Sequence, residues 1–320
     1  MSSHEHDHHH GHSHNHAPQS LSALVGSVPV ARSRPISRVR SRTLTSVVFL
    51  AELIAGIVSG SLALLADAAH MLSDSAGLVV ALAAMLVGRR AASSRATFGY
   101  RRTEVLAAAL NAGAVSAISV WIVVEAVQRI GRAEPIDTGV MLLVAVIGLV
   151  VNAVSALVLM RRQHDNLNMR GAYLHVLADM FGSVAVIIAG IVIRFTGFQA
   201  ADTIASVIIA ALILPRSVQL LMEALRVLLE QVPAGVDLDA VHAALVAVPG
   251  VEEVHDLHVW SVDGTDLLAS AHIVVSETPA ELAECSLLDA ATAALADHGI
   301  KHSTIQVESS AHAEHEEINH

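Results

Sequence analysis

Residues 59–74 read SGSLALLADAAHMLSD. This run decides the fold. Ser59-Gly60-Ser61 is too short for anything but a tight hairpin between two apolar segments, 43–63 and 66–88. Each segment is long enough to cross roughly 30 Å of hydrocarbon. Yet the second segment carries Asp67, His70 and Asp74. An ionisable side chain at mid-membrane costs on the order of 3 kcal/mol on insertion scales, so its presence points to function.

Working outward, four more apolar segments follow, near 104–128, 138–160, 171–193 and 203–222. Hydrophobic residues make up 53% of the 320 and charged residues 15%. Soluble domains run at about 25% charged, so the composition excludes an ordinary soluble enzyme. Aromatics at 3% are too few for the girdles of a β-barrel. Single Gly and Ser residues inside the segments let helices approach closely in a bilayer. The expected class is an α-helical polytopic membrane protein with six transmembrane helices.

Arginine placement orients it. Arg32, Arg34, Arg38, Arg40 and Arg42 precede the first segment, Arg89, Arg90, Arg95, Arg101 and Arg102 follow the second, and Arg161, Arg162 and Arg170 follow the fourth. The opposite loops carry only Arg129, Arg132 and Arg194. The excess of positive charge marks the cytoplasmic side and places both termini there, as expected of a bacterial inner-membrane protein.

The fifth segment repeats the chemistry of the second. His70 and Asp74 are four residues apart, and so are His175 and Asp179. That spacing puts each pair on one helical face. Two imidazoles and two carboxylates can close a tetrahedral cage suited to Zn²⁺, which cobalt or cadmium could imitate. Two carboxylates also neutralise one divalent cation in a low dielectric. The competing reading is polar glue between helices, which a twice-repeated pair fits poorly. Asp67, one turn before His70, could orient a ligand. Glu52, Asn111, Asn152 and Asp202 either line an access path or bond across helices. Glu125 and Arg129 should form an ion pair at the outer face, and Arg216 should reach the cytoplasmic surface.

From about 233 the chain turns acidic: after residue 230 the only basic residue is Lys301, against sixteen Asp and Glu. That balance argues against nucleic acid as a partner. Val236–Ala247 reads as a helix, Val251–Val259 and Leu267–Val275 as strands around the turn Asp263-Gly264-Thr265, Pro279–Ala296 as a helix and Ser303–Glu308 as a strand. The order αββαβ is a small α+β domain over 233–309. Residues 310–320 are expected to be a disordered His/Glu tail. At the other end, residues 4–16 (HEHDHHHGHSHNH) hold eight histidines. With the Ser-, Pro- and Arg-rich stretch after them they form a disordered arm, 1–42, that binds metal weakly. One cysteine, Cys285, excludes a disulfide framework or multi-thiolate site.

The runs SGSLALLADAAHMLSD, TFGYRRTEVLAA (97–108), NMRGAYLHVLADMFGSV (168–184) and VHDLHVW (254–260) together resemble the cation diffusion facilitators, most closely the zinc-transporting branch. The resemblance covers about 43–308. It implies a six-helix transport domain over 43–230, a cytosolic metallochaperone-like (ferredoxin-like) domain, a homodimer, and export of Zn²⁺ against protons. It puts the transport ligands on His70, Asp74, His175 and Asp179. His at the first of these resembles zinc-selective members. It also implies regulatory zinc at the dimer interface, bound by His255 and His272, with His242 and Glu308 as further candidates. The alternative there is surface histidines. Gln306 stands where some members have His. The loop after the second segment carries no Asp/His cluster, and the His-rich loop of eukaryotic members is reduced to His164.

The expected function is therefore a proton-coupled antiporter with zinc as substrate and regulatory ligand, no organic cofactor and no enzymatic activity. Protons and zinc would compete for the same side chains, since zinc takes neutral imidazole and ionised carboxylate. A membrane-embedded zinc hydrolase is the alternative, but it would need an open coordination position. A membrane metal sensor is another, but it leaves the intramembrane ligands without a purpose.

Overall fold

The computed structural model describes residues 48–88, 90–130, 135–161, 167–275 and 281–313. The His-rich arm, His164 and the last residues of the tail lie outside these. Among the described residues, six helices form the first domain: α1 (Val48–Ser59), α2 (Leu62–Gly88), α3 (Arg102–Arg129), α4 (Thr138–Met160), α5 (Leu167–Thr196) and α6 (Ala200–Leu228). Of these, α3, α4, α5 and α6 are long and apolar enough throughout to cross a membrane. At 1.5 Å per residue, the 28 residues of α3 reach about 42 Å.

Local chemistry sets the ends. Gly60 adopts φ 74° in the α1–α2 hairpin, a left-handed conformation that glycine takes without steric cost. Asp137 caps α4, its carboxylate accepting from the N–H groups of Gly139 at 2.9 Å and Val140 at 3.2 Å. The spans run a few residues beyond the apolar stretches at several ends. The start of α2 at Leu62, rather than near 66, has a tertiary cause: its first N–H groups are satisfied from α6.

The most extensive helix pairings are α3 with α6 and α4 with α5. The α3–α6 seam is built from small residues. Ala109, Ala112, Ser116 and Ala126 of α3 and Ala210, Ser217 and Ala224 of α6 are buried. Ser116 and Ser217 share a hydroxyl hydrogen bond of 3.0 Å across it. With no hydrophobic drive between helices in lipid, such close packing and bonding hold them together. Leu110, Leu143, Leu157, Ile188 and Leu212 point outward instead, as lipid-facing side chains do.

The C-terminal domain follows the expected order: α7 (Leu238–Val246), β1 (Val251–Ser261), β2 (Leu267–Val275), α8 (Glu281–Asp297) and β3 (Ile300–Ser309). The sheet order is β1-β2-β3. β1 pairs antiparallel with β2, and β2 pairs parallel with β3 through the α8 crossover. Val241 and Leu245 of α7 and Leu287, Ala291 and Leu295 of α8 pack with Val259, Ala271, Ile273 and Ile300 of the sheet in one apolar core. One expectation needs correcting. The segment after 309 is not wholly unstructured, because Ser310–Ala313 form a further helical turn, α9, against β2 and β3.

Candidate metal centre

In the membrane domain, α2 brings His70 against the i, i+4 pair of α5. His70 Nε2 lies 3.2 Å from Asp179 Oδ1, and His175 Nε2 lies 3.8 Å from Asp179 Oδ2. The two imidazoles meet edge to face, 5.6 Å between centroids. Ligand atoms of the three residues all fall within 4.8 Å of one another. Donors at about 2.0–2.1 Å from a tetrahedral zinc stand roughly 3.4 Å apart, so the observed spacings bracket that geometry. Asp179 is the hub, offering one oxygen to each imidazole. Asp74 lies on α2 one turn beyond His70; its side chain is outside the described set.

Two buried carboxylates flank this group. Asp67 accepts a hydrogen bond from Ser183 Oγ of α5 at 3.3 Å, tying α2 to α5 one turn beyond Asp179. Gly182 makes room for it: a Cβ there would sit 2.6 Å from Asp67 Oδ1. Glu52 of α1 is fully buried and fits over Gly148 of α4 in the same way, a Cβ there lying 2.4 Å from its Oε1. Neither Glu52 oxygen has a hydrogen-bond partner among the described residues. Asp202 bonds across helices, to Ser61 and the start of α2. Arg129 Nε pairs with Glu125 Oε1 at 3.2 Å, as expected, and its Nη1 also donates to the Gly60 carbonyl at 2.7 Å. Arg216 is exposed.

A second group forms on the sheet of the C-terminal domain. His255 and His272 are direct cross-strand partners, with rings 5.2 Å apart. Glu308 reaches both: its Oε2 lies 3.3 Å from His255 Nε2 and its Oε1 lies 2.9 Å from His272 Nδ1. Gln306 pairs with His272 in the β2–β3 register. It donates from Nε2 to Glu308 Oε1 at 2.7 Å, so it holds the carboxylate. Glu308 is 3% exposed, and neither its Oε2 nor either ring nitrogen of His255 has a hydrogen-bond partner among the described residues. Buried polar atoms left this way call for an explanation, and a bound ion or water is one. His242 is not brought into this group: its Nε2 lies 3.1 Å from the Val254 carbonyl.

Two features escaped the sequence reading. A bulge in β1 between His255 and His258 puts Asp256 at φ 49°. Its carboxylate then lies 2.9 Å from His258 Nε2 and 3.7 Å from His272 Nε2. Asp tolerates the left-handed region better than most residues, but nothing local announces the bulge. The second is a clasp between domains. Arg101, just before α3, binds Asp263 and lies 2.5 Å from Asp266, both in the β1–β2 turn. Arg102 pairs with Glu230 at 2.5 Å. Hydrogen bonding to Asp266 leads the rise of the Arg101 pKa above its ordinary value. Burial raises that of Asp263, but N–H groups of Asp266 and Thr265, the Thr265 hydroxyl and Arg101 outweigh it and hold the carboxyl below the usual range.

Residues 39–229 match the cation efflux transmembrane domain, and residues 233–310 match the cytoplasmic domain of cation efflux proteins. The chain is 42% identical over 266 residues to the metal cation efflux system protein CzcD of Cupriavidus metallidurans, covering 83% of this chain and 84% of that one. It is 41% identical over 262 residues to the zinc transporter ZitB of Escherichia coli, covering 81% and 82%. It is 40% identical over 263 residues to the cadmium, cobalt and zinc/H(+)-K(+) antiporter of Bacillus subtilis, covering 82% and 85%. These relatives are named as efflux systems and transporters rather than enzymes, in line with the sequence reading. The chain is an integral membrane protein that belongs to the cation efflux family, the cation diffusion facilitators.

Proposed function

We propose that this protein exports zinc from the cytoplasm in exchange for protons, with cadmium and cobalt as lesser substrates. The observation that carries this reading is the meeting, inside the membrane domain, of His70 of α2 with Asp179 of α5 at 3.2 Å, where Asp179 also lies 3.8 Å from His175 of its own helix. Asp74, four residues after His70 in the sequence of α2, is the residue assigned as the second carboxylate of this cage. The names of the relatives supply the metals and an antiport coupled to H(+).

Zinc needs the imidazoles neutral and the carboxylates ionised, so each proton bound on the acidic side weakens the hold on metal. Alternating exposure of the α2–α5 group then converts a proton gradient into zinc export. Residues 43–230 form the transport domain. Residues 233–309 form a cytosolic domain that joins two copies into a homodimer and takes regulatory zinc at His255, His272 and Glu308. Both termini face the cytoplasm of a cell whose inner membrane holds the protein.

The test is transport in proteoliposomes loaded with a metal-sensitive dye, across Zn²⁺, Cd²⁺, Co²⁺ and Mn²⁺, with and without an outward proton gradient (acidic lumen). Zinc flux that rises with the gradient is the expected result. Flux indifferent to the gradient removes the proton coupling. Absence of flux with intact zinc binding favours a sensor.

A further inference from the structure

We infer that Asp202 of α6 is a positioning residue for the cation group: it fixes the N-terminus of α2 and thereby the place of His70. The inference rests on the reading of His70, His175 and Asp179 as the transport site.

A helix leaves its first N–H groups without intrahelical partners, and α2 has no acidic residue in its own first turn to meet them. Asp202 does so from another helix. Its Oδ2 accepts from the Leu62 N–H at 2.7 Å and its Oδ1 from the Ala63 N–H at 3.3 Å. The Ser61 hydroxyl donates to Oδ1 at 2.5 Å and itself accepts from the Leu64 N–H at 3.1 Å. The first intrahelical bond, Leu65 N–H to the Ser61 carbonyl, follows. Every donor of the opening turn is thus satisfied, two of them by a carboxylate whose residue is 1% exposed. A negative group here also complements the helix dipole.

The same end is held from two more sides. Arg129 of α3 donates to the Gly60 carbonyl at 2.7 Å. The Asp137 N–H, at the start of α4, donates to the Ser59 carbonyl at 3.0 Å. Of these three holds, the Asp202 bonds are the ones that reach N–H groups of α2 itself, and they bear on both its height and its rotation. His70 lies two turns further, about 12 Å along the axis. Asp202 is therefore too remote to share a cation with His70, yet a small slip or rotation of α2 changes the 3.2 Å His70–Asp179 spacing. Zinc holds its ligands to narrow distances, so slack in α2 reads out as lost affinity.

The experiment is zinc transport by the full chain in proteoliposomes, measured as KM, maximal rate and pH profile. Asp202→Ala is expected to raise KM about tenfold with less than threefold change in maximal rate, and to leave the shape of the pH profile intact. Asp202→Asn, which keeps an acceptor oxygen but carries no charge, is expected to raise KM only about threefold. Ser61→Ala should do the same, and combining it with Asp202→Asn should raise KM by less than the product of the two. Those two variants carry the test if Asp202→Ala fails to insert. An unchanged KM in all of them overturns the inference. So does Asp202→Asn that is as inactive as Asp202→Ala with a flattened pH profile, since Asp202 would then move protons. His70→Ala is the separate control: wild-type transport by that variant removes the transport-site reading itself, whatever Asp202 does.

Discussion

At the scale of single residues, Asp179 is the centre of the candidate cation group, because each of its oxygens faces one imidazole. Asp179→Ala leaves the two histidines without the carboxylate between them and with one negative charge fewer to neutralise a divalent ion. Zinc flux should be abolished while membrane insertion and dimer formation, followed by size-exclusion chromatography, stay normal. Wild-type-like flux would remove the central claim. In the C-terminal domain, Glu308 plays the matching part between His255 and His272. Glu308→Gln keeps the shape and the bond to Gln306 but removes the charge. Zinc stoichiometry by calorimetry should fall, with maximal transport at saturating zinc altered less than threefold. Unchanged stoichiometry would mean that this triad holds no metal.

Between elements, close approach decides. A Cβ on Gly56 of α1 would lie 2.8 Å from Leu65 Cδ2 and 3.2 Å from the Leu65 backbone nitrogen of α2. A Cβ on Gly113 of α3 would meet only Leu221 Cδ1, at 3.8 Å. Gly56→Ala should therefore destabilise by about 1–3 kcal/mol through overpacking, whereas Gly113→Ala should be neutral or stabilising by up to about 1 kcal/mol. Thermal melts in detergent check the pair, and equal melting temperatures would contradict the tight α1–α2 contact. The clasp from Arg101 to the β1–β2 turn is the other link between elements. The folded pKa of Asp263 is depressed. Its contribution is therefore complete above its unfolded value, about 3.9, and is lost only as pH falls below that through the folded pKa. Protection of the 262–266 turn from hydrogen exchange should hold between pH 8 and 5 and be lost in Arg101→Ala over the same range. A loss of protection in wild type near pH 6 would show that histidines, not this carboxylate, govern the clasp.

For the whole molecule, the His-rich arm is expected to raise local metal concentration without reaching the cation group. Deleting residues 1–30 should leave the maximal rate within about twofold and weaken transport only at low zinc. An inactive truncation at normal membrane levels would make the arm part of the mechanism. The number of helices, the α1–α2 hairpin, the αββαβ order and the i, i+4 pairing of His175 with Asp179 were all legible in the chain. Each depends on periodicity, apolar length or turn chemistry within a few residues. The candidate ligands were legible for a related reason: a charged group in an apolar segment is costly enough to stand out. What only the tertiary structure decided joins residues far apart in sequence. It set His70 beside Asp179, seated Asp202 on the start of α2, left His242 on the Val254 carbonyl, swung Asp256 toward His272 and clasped Arg101 to Asp263 and Asp266. Amphipathic periodicity tells a helix which face to bury. Which neighbour it buries that face against is settled by the fit of small residues and by the need to satisfy every buried polar group, and both are properties of the assembled fold.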